Sequence, residues 1–254
     1  MTIYKSLKDK TAIVTGGGSG IGKAICLALA AQGVRVVVAN RREALGQETV
    51  GAIEANGGQA LFVKTDIAES ASVQNLIRET INSFGRLDLA VNNAAGIGDM
   101  ALLAEQNESN FSRLIDVNIK GSFYCLKHQL SAILSTGSVG AIVNILSIHA
   151  LRTVIPGLSP YTATKHAIHA LTKAAAVEYA QKGIRINSVA PGPTDTEMLR
   201  KAAEGDTSPF TQMLPMQRLA TPEEVADAVL WLCSDNARFV TGQLLAVDGG
   251  YLAK

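Results

Sequence analysis

A chain of 254 residues and 26.7 kDa can bury a sizeable core, so one α/β domain over residues 1–254 is the expected organisation. A formal net charge of +1 and an isoelectric point near 7.7 leave no electrostatic footprint for a nucleic acid or an anionic membrane as partner, and no apolar run approaches the ~18 residues of a membrane span. Cys26, Cys125 and Cys233 lie far apart in apolar, helix-like surroundings and read as buried free thiols; with the polar residues 1–10 they predict a soluble, cytoplasmic protein.

The first β-branched run, 11–14, leads through Thr15-Gly16-Gly17-Gly18-Ser19-Gly20-Ile21-Gly22 into a helix expected over 21–32, which stops at Gly33. A strand over 34–39 ends in Asn40-Arg41-Arg42 and precedes a helix over 43–55. Strand 60–64, helix 71–84 and strand 87–92 follow, then a long helix over 111–135, strand 141–145, helix 162–182 and strand 184–190. Residues 191–221, rich in Pro, Gly, Thr and Ser, fall outside the alternation and read as a lid, with its substrate-facing part at about 193–216. Helix 222–233 and strand 244–247 close the series. Seven near-continuous apolar strands separated by helices predict a parallel sheet. The fold class is therefore α/β, a doubly wound Rossmann arrangement with helices on both faces and the ligand crevice at the carboxyl ends of the strands.

Two local patterns carry chemistry. Tyr161 and Lys165 stand at i and i+4, one face of a helix, so the ammonium can lie beside the phenol and favour its ionised form. Bringing a tyrosine from near 10 to about 7 takes roughly 4 kcal/mol, which a cation in a dry, covered site can supply. The glycines at 16, 20 and 22, after a strand and before a helix, let the backbone approach a pyrophosphate, although their spacing is not the usual GxGxxG.

Thr15-Gly16-x-x-x-Gly20-x-Gly22, Asn92-Asn93-Ala94-Ala95-Gly96, Asn118, Ser147, Tyr161-x-x-x-Lys165 and Pro191-Gly192, in that order, resemble the short-chain dehydrogenase/reductase family in its roughly 250-residue form. The resemblance implies a catalytic tetrad. Tyr161 would protonate a carbonyl oxygen that Ser147 polarises, and Lys165 would lower the tyrosine pKa and bind the nicotinamide ribose. Asn118 would anchor a water linking Lys165 to solvent. Leu146 replaces a common serine, and the 14 positions from Ser147 to Tyr161 exceed the commonest spacing by one, which points to a reshaped loop at the substrate.

For the cofactor, the resemblance implies Gly16, Gly18, Ser19 and Ile21 at the pyrophosphate turn and Asp66 on the adenine amino group, with Ile67 beside it. Asn93 and Ala94 would line the adenine ribose, and Pro191, Gly192, Thr194 and Thr196 the carboxamide. Asp88 and Asn92 are expected to stabilise the sheet rather than touch a ligand. Relatives specific for NAD carry an aspartate where Asn40 stands. A neutral amide followed by two arginines favours NADP(H) over NAD, with Arg41 as the main phosphate partner, Arg42 a weaker one and Ser19 an added hydroxyl.

His166 and His169 share a helical face but have no third ligand, so no metal is expected; His128 reads as a surface residue, and His149, two residues after Ser147, should border the substrate. Ile97, Met100, Leu151, Val154, Ile155, Met198, Leu199, Phe210, Met213 and Leu214 would frame an apolar ketone, with Arg152 the one obvious charge. The expected function is that of an NADP(H)-dependent carbonyl reductase or secondary alcohol dehydrogenase acting on a small molecule. Its rivals are a 3-oxoacyl thioester reductase, for which Lys120, Lys127 and Lys173 make no decisive docking cluster, and a non-catalytic dinucleotide-binding regulator. A homo-oligomer, dimer or tetramer, fits the small face Ala163, Ala167, Ala170 and Ala174, which packing within the domain explains equally well.

Overall fold

The structure of the protein, a computed structural model, describes residues 3–153 and 155–254; Val154, expected on the substrate wall, lies outside the described residues. Seven strands form one sheet: β1 (Thr11–Thr15), β2 (Arg35–Asn40), β3 (Ala60–Lys64), β4 (Leu89–Asn92), β5 (Gly140–Ile145), β6 (Ile184–Pro191) and β7 (Leu244–Val247). Their order is β3-β2-β1-β4-β5-β6-β7 and every neighbouring pair is parallel, as the unbroken apolar runs require. The order reverses between β1 and β4, so the crevice beyond their carboxyl ends, at Thr15 and Asn92, is the switch point where such sheets bind ligands.

The helices are α1 (Gly20–Ala30), α2 (Glu43–Ala55), α3 (Ser70–Phe84), α4 (Glu108–Leu114), α5 (Gly121–Ser135), α6 (Ser159–Tyr179), α7 (Glu197–Ala202), α8 (Ser208–Gln212) and α9 (Pro222–Cys233). Alternate strand residues feed two cores. Ala12, Val14, Val36 and Val38 pack with Ile25 and Leu29 of α1 and Val229 and Leu230 of α9. Ile13, Val37 and Ile142, on the other face, pack with Leu76 of α3, Ile133 of α5 and Ala176 of α6. Each fully buried Leu or Ile side chain contributes roughly 1.5–3 kcal/mol, so the sheet is the most firmly held part of the molecule. All three cysteines are free and buried, and burial pushes their thiols up.

Three local outcomes differ from expectation. The helix expected over 111–135 begins at Glu108, capped by the Asn107 side chain, and is interrupted by a π-helical segment, Ile115–Lys120, that carries Asn118. Helix α6 begins at Ser159, because Pro160 falls in its first turn, where a missing N–H costs nothing. The stretch 191–221 is not irregular throughout: it holds α7, whose N-cap Thr196 accepts from Leu199 N, and α8, with Pro209 in its first turn. No helix among the described residues is long and apolar enough to cross a membrane.

Candidate active site

The glycine-rich turn follows β1 directly. Gly16 has φ of +67°, a conformation L side chains rarely adopt, and a Cβ on Gly22 would lie 2.2 Å from Gly16 O. The turn is thereby pressed against the first turn of α1. Ser19 is the N-cap of α1 yet makes no side-chain cap bond, and no acidic residue lies in the first turn, so the positive end of the helix is offered to an anion. A backbone stripped of Cβ atoms over an uncapped helix end fits the pyrophosphate of a dinucleotide.

Neighbouring residues hold this cradle. Thr15 Oγ1 accepts from Asn93 N (3.0 Å) and Ala94 N (3.1 Å), while Asn93 Nδ2 donates to Thr15 O (3.1 Å) and Gly16 O (3.2 Å). The Asn93 amide therefore clamps the β4 loop to the turn, and Ala94 packs with Ile67 and Val73. Asp66 Oδ1 accepts from Ala68 N (3.0 Å), and its Oδ2 lies 3.8 Å from Arg41 Nη1. Asn40 Nδ2 donates to Arg42 O (2.8 Å), and Arg42 Nη2 donates to Ser19 Oγ (3.4 Å). Thus Arg42 meets the turn hydroxyl, and Arg41 turns toward Asp66. At the end of β6, Thr194 is buried and its Oγ1 donates to Gly192 O (3.0 Å), next to Pro191. A Cβ on Gly20 would sit 3.2 Å from the Thr196 methyl, so the segment after β6 starts against the glycine-rich turn.

Ser147 follows β5, where it caps the short 3-10 turn Ile148–Ala150 by accepting from His149 N at 3.2 Å. Tyr161 and Lys165 share one face of α6, with Lys165 Nζ 5.4 Å from the Tyr161 ring centroid. That ammonium donates to Ile145 O at 3.1 Å, and burial pushes its pKa down to about 8. Burial pushes the Tyr161 phenol up to about 12, and the hydrogen bond from Ser147 pulls it back only in part. The lowering expected from Lys165 is not present in the protein alone: burial sets the direction, and the opposing pull comes from Ser147.

Asn118 is fully buried. Its Nδ2 donates to Gly96 O (2.9 Å) and Thr164 Oγ1 (3.0 Å), its Oδ1 accepts from Gly96 N (2.8 Å), and Thr164 Oγ1 donates to Tyr161 O (2.8 Å). Both amide hydrogens are used, so the side chain braces the turn carrying Tyr161 and has no free donor for a water beside Lys165. Thr164, hidden between the two motif residues, gave no signal in the sequence.

Asp88 and Asn92 serve the sheet as expected. Asp88 accepts from Thr11 N (2.9 Å) and pairs with Arg86, while Asn92 Nδ2 donates to Gln129 Oε1 (3.0 Å) and Asn144 Oδ1 (2.9 Å). His166 Nδ1 donates to Thr162 O (3.0 Å), and no group of three or more metal-ligating side chains occurs among the described residues. His128 Nε2 lies 3.3 Å from Ser70 Oγ.

On the substrate side, Met100 (61% exposed), Leu151 (48%) and Met198 (56%) are open. Leu214 is not: at 2% exposure it packs with Ile148 and Tyr251 and belongs to the core. Arg152 stands over the Tyr251 ring, 5.7 Å from its centroid. Gln106 Nε2, overlooked in the sequence, ties Ala101 O (2.6 Å) to Gly157 O (3.0 Å) and so joins the two loops on this side.

A doubly wound parallel sheet with a glycine-rich turn at its switch point is the scaffold of a dinucleotide-binding protein. A family model described as enoyl-(acyl carrier protein) reductase matches residues 16–252. The chain is 43% identical over 250 residues to the short chain dehydrogenase/reductase astE of Aspergillus oryzae, covering 96% of this chain and 95% of that one. It is 44% identical over 246 residues to cyclohexanol dehydrogenase of Acinetobacter sp. strain SE19, covering 97% and 96%. A structure of a putative 2-deoxy-D-gluconate 3-dehydrogenase from Agrobacterium tumefaciens with bound NADP superposes with a TM-score of 0.90 at 34% identity, covering all of both chains. The protein belongs to the short-chain dehydrogenase/reductase family.

Proposed function

We propose that the protein is an NADP(H)-dependent carbonyl reductase and secondary alcohol dehydrogenase for apolar ketones. The observation that carries this reading is the meeting of Ser147, Tyr161 and Lys165, with Met100, Leu151 and Met198 exposed on the segments expected to frame the substrate. The relative named for cyclohexanol supports an apolar, ring-sized substrate, and the NADP-bound relative supports the phosphorylated cofactor.

A bound dinucleotide would supply a hydride to the carbonyl carbon in reduction and accept one from the carbinol carbon in oxidation. The glycine-rich turn and the α1 N-terminus would hold its pyrophosphate, with Arg42 and Ser19 at a 2′-phosphate, Asp66, Ile67 and Arg41 on the adenine side, and Pro191, Gly192, Thr194 and Thr196 at the carboxamide. In reduction, Tyr161 Oη gives its proton to the carbonyl oxygen; in oxidation it takes that proton back. Ser147 Oγ accepts from His149 N, and its O–H, which faces the Tyr161 phenol in the protein alone, would turn to donate to the substrate oxygen. Lys165 would lie at the ribose side, where its charge would oppose the cost of a buried phenolate. No step requires a metal.

The thioester reading is weaker, because Lys120, one of the lysines an acidic carrier would meet, is paired with Asp116 at 2.7 Å. We further infer one domain closed by the lid at about 193–216, a cytoplasmic setting suited to three free thiols, and a homo-oligomer built on exposed residues of α5 and α6, Phe123 and Val177 among them. A panel of cyclic and linear ketones, followed by NADPH and NADH absorbance, tests the activity. Turnover of apolar ketones with NADPH is expected; turnover confined to acyl thioesters or to NADH would overturn it. Light scattering on the eluted protein tests the assembly.

A further inference from the structure

We propose that His149 is a positioning residue, which fixes the Ser147 hydroxyl and the Tyr161 ring relative to each other through three contacts. The inference rests on the reading of Ser147 and Tyr161 given above.

Ser147 belongs to the loop after β5 and Tyr161 to α6, so nothing in either element alone sets the distance between the two hydroxyls. His149 bridges them. Its main-chain N donates to Ser147 Oγ at 3.2 Å, which occupies one acceptor site of that oxygen and leaves the O–H to turn elsewhere. Its ring Nδ1 lies 2.8 Å from Thr162 Oγ1, on the residue that follows Tyr161 in the first turn of α6. The same ring meets the Tyr161 ring edge to face, with centroids 5.6 Å apart and planes at 73°, a preferred aromatic geometry.

Two other roles fit less well. A substrate contact needs an open side chain, and His149 is only 4% exposed. A general acid needs a charged ring near neutrality, and burial, reinforced by His166 and Lys165, pushes His149 down to about 4. The titratable groups facing it are Tyr161, Lys165 and His166, all from α6. A neutral ring at working pH suits a spacer whose hydrogen bond and packing must stay constant. Displacement of a reacting group by about 1 Å can cost two orders of magnitude in rate, so a device of this kind is worth its buried polar atoms.

The test is steady-state kinetics in both directions on the wild type, His149→Phe, His149→Asn, Thr162→Val, the double variant His149→Phe/Thr162→Val, and Tyr161→Phe, with NADPH affinity followed by fluorescence. His149→Phe keeps the ring contact and loses the bond to Thr162; Thr162→Val removes the same bond from the other side without changing shape. Each is expected to lower kcat about tenfold, with the ketone KM and NADPH affinity changed by less than about twofold. The double variant should be no worse than either single, since one bond is lost in all three. His149→Asn, which keeps a polar atom for Thr162 but loses the ring against Tyr161, should recover part of kcat. In alcohol oxidation the midpoint of the rise with pH should move upward in His149→Phe, because a phenol displaced from the Ser147 hydroxyl loses the bond that lowers its pKa. Unchanged kcat in His149→Phe and Thr162→Val overturns the proposal, as does a raised ketone KM with kcat retained, or a loss shared by His149→Asn with no movement of the pH midpoint. If Tyr161→Phe keeps wild-type turnover, the reading of the site itself falls. If Tyr161→Phe is inactive while His149→Phe is unimpaired, only the positioning role falls.

Discussion

The Lys165 ammonium stands over the Tyr161 ring at 5.4 Å from its centroid and spends a hydrogen bond on Ile145 O. Within the protein alone, burial raises the phenol to about 12 and lowers the amine to about 8, so at neutral pH the pair is phenol and ammonium, the state that reduces a ketone. Reduction needs the protonated phenol and oxidation the phenolate. Initial rates of alcohol oxidation should therefore climb with pH through the alkaline range, while reduction does not climb; a flat oxidation profile from pH 7 to 10 would remove Tyr161 as the titrating group.

Removing the phenol oxygen separates binding from chemistry. Tyr161→Phe should lower turnover about 100-fold or more and leave NADPH affinity within a few-fold of wild type. Ser147→Ala should act alike, since its bond strengthens as charge grows on the substrate oxygen. Near wild-type turnover in either variant would sink the assignment.

Lys165 is held at a cost to stability. Its folded pKa of about 8 lies below the unfolded value near 10.4, so between those values the unfolded chain binds more protons and stability rises with pH. Below pH 8 the penalty is complete, on the order of 3 kcal/mol, against which Lys165→Met leaves Ile145 O without its donor at a cost of about 1–2 kcal/mol. Urea unfolding of the cofactor-free protein at pH 7 should show Lys165→Met to be the more stable by about 1–2 kcal/mol, with the advantage fading above pH 10 and activity lost. A variant less stable than wild type at pH 7 would contradict this account.

On the proposed reading, the end of β2 sets the cofactor preference. Arg42 shares the space around Ser19 Oγ, where a 2′-phosphate would accept from both, and Arg41 reaches Asp66. Arg42→Ala should weaken NADPH roughly 10- to 100-fold and leave NADH nearly unchanged. Arg41→Ala should affect both cofactors by similar, smaller factors, and Asn40→Asp should move preference toward NADH. The opposite ranking of the two arginines would return the phosphate to Arg41.

Closure of the lid should be uneven. Helices α7 and α8 bury no residue, whereas Leu214 is already packed on Ile148 and Tyr251. Hydrogen exchange should therefore show protection gained on cofactor and substrate binding over 197–212 and little change at 214. Equal protection of 197–212 with and without ligands would count against a moving lid.

The sequence by itself determined the seven strands, their parallel pairing, the crevice at their carboxyl ends and the order of the motifs, because each depends on local patterns: apolar runs of strand length, glycines at fixed offsets, and two residues one helical turn apart. Asn93 and Asn118 were legible as members of the site, but not as clamps whose amides close on Gly16 and Gly96. The π-helical turn under Asn118 and the two short helices of the lid have too few residues to be stable alone, and exist through caps and packing that span the chain. Which of Arg41 and Arg42 meets Ser19, and why His149 lies against Tyr161 rather than open to the pocket, was decided only by the tertiary structure. Side-chain direction after a strand end follows from what the neighbouring elements leave free, and that is set by residues 12 to 25 positions away.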